Sequence, residues 1–303
     1  MYSARIKLPA HFTETQVASL SGAFEGRAVA VTALRAHHKK DTEWELEWIM
    51  ESPMADADMT ARLLLQGAIY DLELDVAAND WQVDKLPEDT DWLSESYKQF
   101  PAFEIGPFFI YGGHYEGSVP ADKMGLQIDA ATAFGSGEHA TTEGCLNAMV
   151  ALEEQGVCPW NVLDMGTGSG ILAVAAWKLW KTMILAVDIE EEAVIVAARH
   201  RDLNKVPGDA AGMICAAGDG FRTKDVQKKK PFDLIIANIL AGPLIEMAHD
   251  LKGVSDENGF VILSGMLSEQ ADSVLSVYEA EDFTLHTRED IDGWATLVLR
   301  NAA

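Results

Sequence analysis

The chain has 303 residues, 23 of them Lys or Arg and 48 Asp or Glu, which leaves a formal charge of −25 at neutral pH. With 48% apolar residues it carries enough hydrocarbon for a sizeable core, which excludes an acidic disordered tail, and its length suits two domains. A polyanion without a Lys/Arg stripe repels phosphate backbones, so direct nucleic-acid binding is disfavoured and a basic protein partner is favoured.

In the first 85 residues, β-rich runs at Ser3–Leu8, Ala28–Leu34, Trp44–Met50 and Leu72–Val83 interleave with helical patterns at Glu14–Phe24 and Asp58–Tyr70. The order β-α-β-β-α-β predicts a small α+β ferredoxin-like domain over residues 1–86, with one sheet face left open for docking. In Trp44–Trp48 the period of two sends Trp44, Leu46 and Trp48 to one side and Glu45 and Glu47 to the other. A Pro- and Gly-punctuated stretch follows and predicts a linker over 87–123 with one short strand, Phe108–Tyr111. From 124 to 303 the pattern becomes alternating strands and helices. Strands are expected at Trp160–Asp164, Met183–Asp188, Phe232–Asn238 and Phe260–Ser264. The helices between and after them are Thr142–Glu154, Ile171–Trp180, Glu191–Leu203, Pro243–Leu251 and Ser268–Tyr278. That alternation gives an α/β domain with a parallel, Rossmann-like sheet. The last two strands, Phe283–His286 and Trp294–Leu299, are too closely joined for a crossover and should form a terminal antiparallel hairpin.

The sharpest local signal is Val162-Leu163-Asp164-Met165-Gly166-Thr167-Gly168-Ser169-Gly170, a strand running through three glycines into a helix. Such a turn lets backbone N–H groups and a helix N-terminus approach a ligand closely. A second strand ends at Asp188, where a carboxylate can accept from both hydroxyls of a ribose or can cap the helix that follows. The spacing is GxGxG rather than GxGxxG, and Asp164 would repel a diphosphate while suiting a cationic amino group. That combination fits the methionine part of S-adenosylmethionine better than a dinucleotide. Cys145, Cys158 and Cys215 are widely spaced and in no CxxC or Cys/His array, so neither disulfides nor a metal site is expected. No apolar run approaches the roughly 18–20 residues that span a bilayer, and Met1–Phe12 lacks the apolar heart of a secretion signal, so a cytoplasmic protein without membrane contact is expected.

With these residues in place, the sequence resembles a class I methyltransferase. Three further segments, Ala133-Phe134-Gly135-Ser136-Gly137-Glu138-His139-Ala140-Thr141-Thr142, Ala237-Asn238-Ile239-Leu240-Ala241-Gly242-Pro243-Leu244 and Leu263-Ser264-Gly265-Met266-Leu267, make it similar to the bacterial methyltransferases of large-subunit ribosomal protein eleven. The resemblance runs from about Gly125 to Arg300, and the front domain agrees in architecture. It implies transfer of a methyl group from S-adenosylmethionine to lysine side-chain and N-terminal amines of that protein, and the −25 charge, which attracts a basic protein and resists ribosomal RNA, suggests that the protein is taken free before ribosome assembly. It further implies that Thr142, Gly166, Gly168, Asp188 and Asn238 contact the methyl donor. Thr142 can equally serve as an N-cap, and Asn238 as a loop-stabilising amide. No catalytic base is assigned: His139 suits the work by its ordinary pKa, but a lone histidine in a glycine-rich loop is more often structural. Asp219 is either near the adenine amine or a turn residue. A nicotinamide-dependent oxidoreductase and a non-catalytic ribosomal-protein binder are the competing classes.

Overall fold

The computed structural model describes residues 1–24, 26–35, 43–70, 72–86, 102–129 and 140–302. The chain divides into two compact units, Met1–Glu95 and Ser96–Ala303.

The first unit contains β1 (Tyr2–Leu8), α1 (Glu14–Ser21), β2 (Ala28–Arg35), β3 (Trp44–Met50), α2 (Asp56–Ile69) and β4 (Gln82–Lys85). Its sheet has the order β2-β3-β1-β4. The period of two holds in β3: Trp44, Leu46 and Trp48 are buried against Ile6, Leu8, Leu20 and Phe24, and Glu45 and Glu47 face outward, half-buried. Each indole also satisfies its N–H, Trp44 with Phe12 O at 2.8 Å and Trp48 with Ser21 O at 2.9 Å, which removes the cost of burying a donor. The acidic outer face is partly neutralised, because Arg5 pairs with both Glu47 and Asp84. The strand expected over Leu72–Val83 is present only at its end. Leu72, Leu74 and Val76 do alternate with exposed Glu73 and Asp75, but they pack back against α2 instead of a neighbouring strand. Gly67 permits the return, since a Cβ there would lie 2.6 Å from Leu74 Cδ1.

The second unit begins inside the stretch expected to be a linker. β5 (Phe103–Ile105) and β6 (Phe108–Tyr111) form a three-stranded sheet with β7 (Met124–Gln127). Phe103, Ile105, Phe108 and Ile110 are buried in the main core, so over 102–123 packing of aromatic and aliphatic side chains overrides the Pro and Gly punctuation. There follow α3 (Ala140–Glu154), β8 (Asn161–Met165), α4 (Ile171–Trp180), β9 (Met183–Asp188), α5 (Glu191–Leu203), β10 (Met213–Ala217) and α6 (Lys224–Lys229). The unit closes with β11 (Phe232–Asn238), α7 (Ala241–Glu246), α8 (Ala248–Lys252), β12 (Ser255–Leu267), α9 (Ala271–Ala280), β13 (Phe283–Ile291) and β14 (Trp294–Asn301). The seven-stranded sheet runs β10-β9-β8-β11-β12-β14-β13. It is parallel as far as β12, and β14 pairs antiparallel with both β12 and β13, so the sheet is mixed.

The topological switch of this sheet lies between β8 and β11, where the chain order reverses, and ligands of open α/β sheets bind at such a point. The two strands are clamped together before their ladder begins. The Asp233 carboxylate accepts the Trp160 N–H at 2.8 Å and the Asn161 N–H at 2.9 Å, and the Asn161 amide donates to Lys229 O and Pro231 O at 2.8 and 2.6 Å. Burial pushes the Asp233 pKa up and the two backbone donors pull it back. Asp233→Ala leaves two N–H groups without this acceptor and should lower the free energy of unfolding by about 1–3 kcal/mol in urea titrations. An unchanged midpoint would contradict the clamp.

Candidate methyl-donor site

The period of two decides which strand residues reach which face. Val162, Ile184, Ala186, Leu234 and Ile236 point into the core that holds α3 and α4, and Leu163, Met165, Leu185, Val187, Ile235 and Ala237 point into the opposite one. Continuing the count sends Asp164, Asp188 and Asn238 to the α3/α4 side. Register then brings three positions to one level. Ala237 pairs with Met165 and Met165 with Val187, so Asn238, Gly166 and Asp188 are the next residues along three adjacent strands. These are three of the five residues expected to touch the donor. Gly168 joins them through a hydrogen bond from its N–H to Asp188 Oδ2 at 2.8 Å.

Thr142 comes from α3. That helix starts at Ala140, not at Thr142, so Thr142 is its third residue and not its cap. Its side chain is fully buried, and Oγ1 has no hydrogen-bond partner among the described residues. An orphaned buried hydroxyl fits a bound polar molecule, because such a group otherwise costs about 1–3 kcal/mol. The segment Ala133–His139, including Ser136, Glu138 and His139, lies outside the described residues.

The glycine turn corrects one expectation. The amides of Gly166, Thr167, Gly168 and Gly170 are engaged within the protein and not held open for a ligand. Gly166 and Thr167 both donate to Val187 O, at 2.8 and 3.0 Å, Gly168 donates to Asp188, and Gly170 donates to Thr167 O at 2.8 Å. Nor is the missing Cβ of Gly166 room for a ligand: with φ +71° it would drive a Cβ into Ile239 Cγ2. Ile239 is held from the other side as well, because a Cβ on Gly265 (φ +87°) would strike its carbonyl oxygen and its own N–H donates to Ser264 O at 3.1 Å. The glycines thus let the turn, the end of β11 and the bend in β12 close on one another, and this closure fixes Asn238.

Asp188 is held by the fold and keeps capacity for a ligand. Oδ2 accepts from Gly168 and Oδ1 accepts from the Glu190 N–H at 3.1 Å, so the carboxylate does act at the start of α5. Each oxygen keeps a second lone pair, which is what two ribose hydroxyls require. Asp164 is different. It is 1% exposed, and its Oδ2 accepts from Thr167 Oγ1 at 2.6 Å and from the Ala173 N–H at 3.1 Å. These two bonds tie it to the turn and to the start of α4. Asp219 is exposed and makes no capping hydrogen bond, and Gly218 beside it donates to Asp188 O at 2.9 Å. Two residues of α5 were not anticipated. His200, 1% exposed, approaches Ser169 O with Nδ1 at 2.6 Å and accepts the Asp129 N–H with Nε2 at 3.0 Å. Asn204 binds both backbone groups of Gln127, at 3.0 and 2.8 Å. Only their spacing of four on one helix face hints at them in the sequence. No group of three or more potential metal ligands occurs among the described residues.

The chain matches the family model "Ribosomal protein L11 methyltransferase (PrmA)" over residues 8–302. It is 36% identical over 300 residues, 98% of this chain and 99% of the relative, to the ribosomal protein L11 methyltransferase of Rhizobium meliloti strain 1021. It is 38% identical over 220 residues, 73% of this chain and 75% of the relative, to that of Brucella suis. Among solved structures it is similar to the ribosomal protein L11 methylase of Lactobacillus delbrueckii subsp. bulgaricus, with a TM-score of 0.59 and 28% identity over 67% of this chain and all of that one.

The buried Asp164 carboxyl titrates late. Burial raises its pKa to about 7, against the pull of the Thr167 and Ala173 donors. A carboxyl raised in the folded state favours folding below its unfolded pKa near 4 and loses that contribution as pH climbs through about 7. Asp164→Asn keeps an acceptor for Thr167 and Ala173 and cannot ionise. Its urea midpoint relative to the unsubstituted protein should therefore rise between pH 5 and pH 8; a difference that stays constant would show that Asp164 does not titrate there.

Proposed function

The chain belongs to the ribosomal protein L11 methyltransferase family, and from that premise we propose that it methylates lysine side-chain and N-terminal amines of ribosomal protein L11, with S-adenosylmethionine as the methyl donor. It is a methyltransferase. The observation that carries the donor site is the convergence of Asp188, Gly168 and Asn238 at the carboxyl edge of β8, β9 and β11, with the unpartnered Thr142 hydroxyl in the first turn of α3. The strand orders support the finer fold reading: a ferredoxin-like front unit, then a class I sheet closed by a terminal antiparallel hairpin.

When bound, S-adenosylmethionine supplies a methyl carbon made electrophilic by a positively charged sulfur. In this reading Asp188 grips the sugar while still holding Gly168. The Asn238 amide, able to donate and accept, orients the polar groups of the donor's amino-acid end, and the Thr142 hydroxyl gains the partner it lacks. The chain's own contribution to rate is orientation in a site that excludes water. An amine attacks only with its lone pair free, and with a pKa near 10.4 roughly one lysine in a few thousand is neutral at pH 7. Among the described residues, Asp164, whose pKa burial raises to about 7, is hydrogen-bonded inside the fold and out of reach as a base. In this reading the amine loses its proton before it attacks.

The front unit would hold the substrate. A chain of −25 attracts a basic ribosomal protein and repels ribosomal RNA, which favours free L11, ahead of assembly, in the cytoplasm. Among the described residues no helix is long and apolar enough to cross a membrane.

Incubation of purified L11 with isotopically labelled S-adenosylmethionine and this chain should transfer label to amines; no transfer would overturn the reading. The single-turnover rate should climb about tenfold per pH unit from pH 7 towards pH 9, and a flat profile would reject prior deprotonation as the limiting event. Asp188→Ala should weaken donor binding at least tenfold by calorimetry and also lower stability by about 1 kcal/mol through the lost Gly168 bond. Unchanged donor affinity would refute the ribose role.

A further inference from the structure

The proposed donor site includes a turn whose Gly166, Thr167, Gly168 and Gly170 amides are used internally, which leaves open what fixes the turn on its far side. Ser169 sits between Gly168 and Gly170 and is 2% exposed. Its carbonyl is 2.6 Å from His200 Nδ1. A carbonyl can only accept, so Nδ1 carries the proton. The other ring nitrogen, Nε2, faces the Asp129 N–H at 3.0 Å, which can only donate, so Nε2 is bare. These two partners admit one form of the ring, the neutral imidazole with its proton on Nδ1. Burial agrees, pushing the His200 pKa below the ordinary histidine value, and the charged groups that act on it are Asp129 and Arg199, themselves joined at 2.7 Å.

One turn further along α5, Asn204 accepts the Gln127 N–H and donates to Gln127 O. His200 and Asn204 thus bind alternate residues of the chain leaving β7, 127 and 129, as a neighbouring strand would. Only His200 also reaches the glycine turn.

We propose that His200 is the positioning residue of the methyl-donor site: it staples the Ser169 carbonyl of the glycine turn to the backbone at Asp129, and so holds Gly168 where its N–H fixes the Asp188 carboxylate. The role rests on the methyltransferase reading, since the ligand it serves is the donor. It acts through Ser169 and Gly168 and touches no reacting atom. Lysine or arginine cannot replace it, having no acceptor; an amide side chain can, because it holds a donor and an acceptor and does not titrate.

The test uses the full chain with three substitutions, His200→Ala, His200→Asn and His200→Gln. His200→Ala should weaken S-adenosylmethionine binding about tenfold by calorimetry, as expected for two lost buried hydrogen bonds, and at least one amide variant should recover most of it. The rate at saturating donor should stay within about twofold, so that the loss appears in KM for the donor and not in kcat. Hydrogen exchange at the Asp129 amide should accelerate in His200→Ala while protection in β8, β9 and β11 persists. Unchanged donor affinity with a freed Asp129 amide would overturn the proposal, since the staple would then have no bearing on the site. Loss of protection throughout the sheet in all three variants would also overturn it, by making His200 a core residue only. If the unsubstituted chain itself fails to bind S-adenosylmethionine, the methyltransferase reading falls, a result separable from either of these.

Discussion

The hydrogen bond from Gly168 to Asp188 ties the turn after one strand to the tip of its neighbour, and much of the second unit is arranged so that this bond can form. Parallel pairing of β8 with β9 sets the two strand ends level. Left-handed glycines let the turn fold onto Val187. Asp188 then stands where its carboxylate satisfies two backbone amides, those of Gly168 and Glu190, and still offers lone pairs outward. A carboxylate held in this way is already oriented before a ligand arrives, so little conformational freedom remains to be lost on binding. The cost of the arrangement is rigidity of sequence around the turn, since Gly166 and Gly265 both abut Ile239.

The same geometry separates two acids that look alike in the sequence. Asp164 is the last residue but one of β8, Asp188 is the last of β9, and both face α3 and α4. One lies beneath the turn, loses its solvent and is drawn towards neutrality by burial; the other lies at the rim, half-exposed, among donors. Depth separates their surroundings: the first supports the turn, and the second keeps lone pairs open at the rim, where the proposed donor contact lies.

Much of this was legible in the residue order. The helices Ile171–Trp180 and Glu191–Leu203 and the strands Met183–Asp188 and Phe232–Asn238 stand where their apolar runs put them. The alternation of Trp44, Leu46 and Trp48 with Glu45 and Glu47 was equally plain. What escaped were contacts between distant segments. Leu72–Val76 alternates like a strand yet folds back on Gly67, since periodicity reports a half-buried chain and not its partner. β5 and β7 are short and sit among prolines and glycines, and their burial comes from a core assembled out of later helices. The bonds of His200 to Asp129 and of Asp233 to Asn161 join residues about seventy positions apart, which no local pattern encodes. At the site, the residues expected at Asp188, Asn238, Gly166 and Gly168 converge. The expectation of ligand-facing amides failed at Gly166, Thr167, Gly168 and Gly170, whose N–H groups bond to Val187 O, the Asp188 carboxylate and Thr167 O, as buried backbone donors nearly always must find acceptors.

The account stands on Asp188 performing two tasks with one carboxylate, and a crystal structure with S-adenosylhomocysteine tests this most directly. It should show both ribose hydroxyls within about 3 Å of the Asp188 oxygens, a normal hydrogen-bond length, while the Gly168 N–H keeps its own bond to the same group. A ligand whose sugar lies elsewhere, or an Asp188 that must release Gly168 to reach it, would contradict the account.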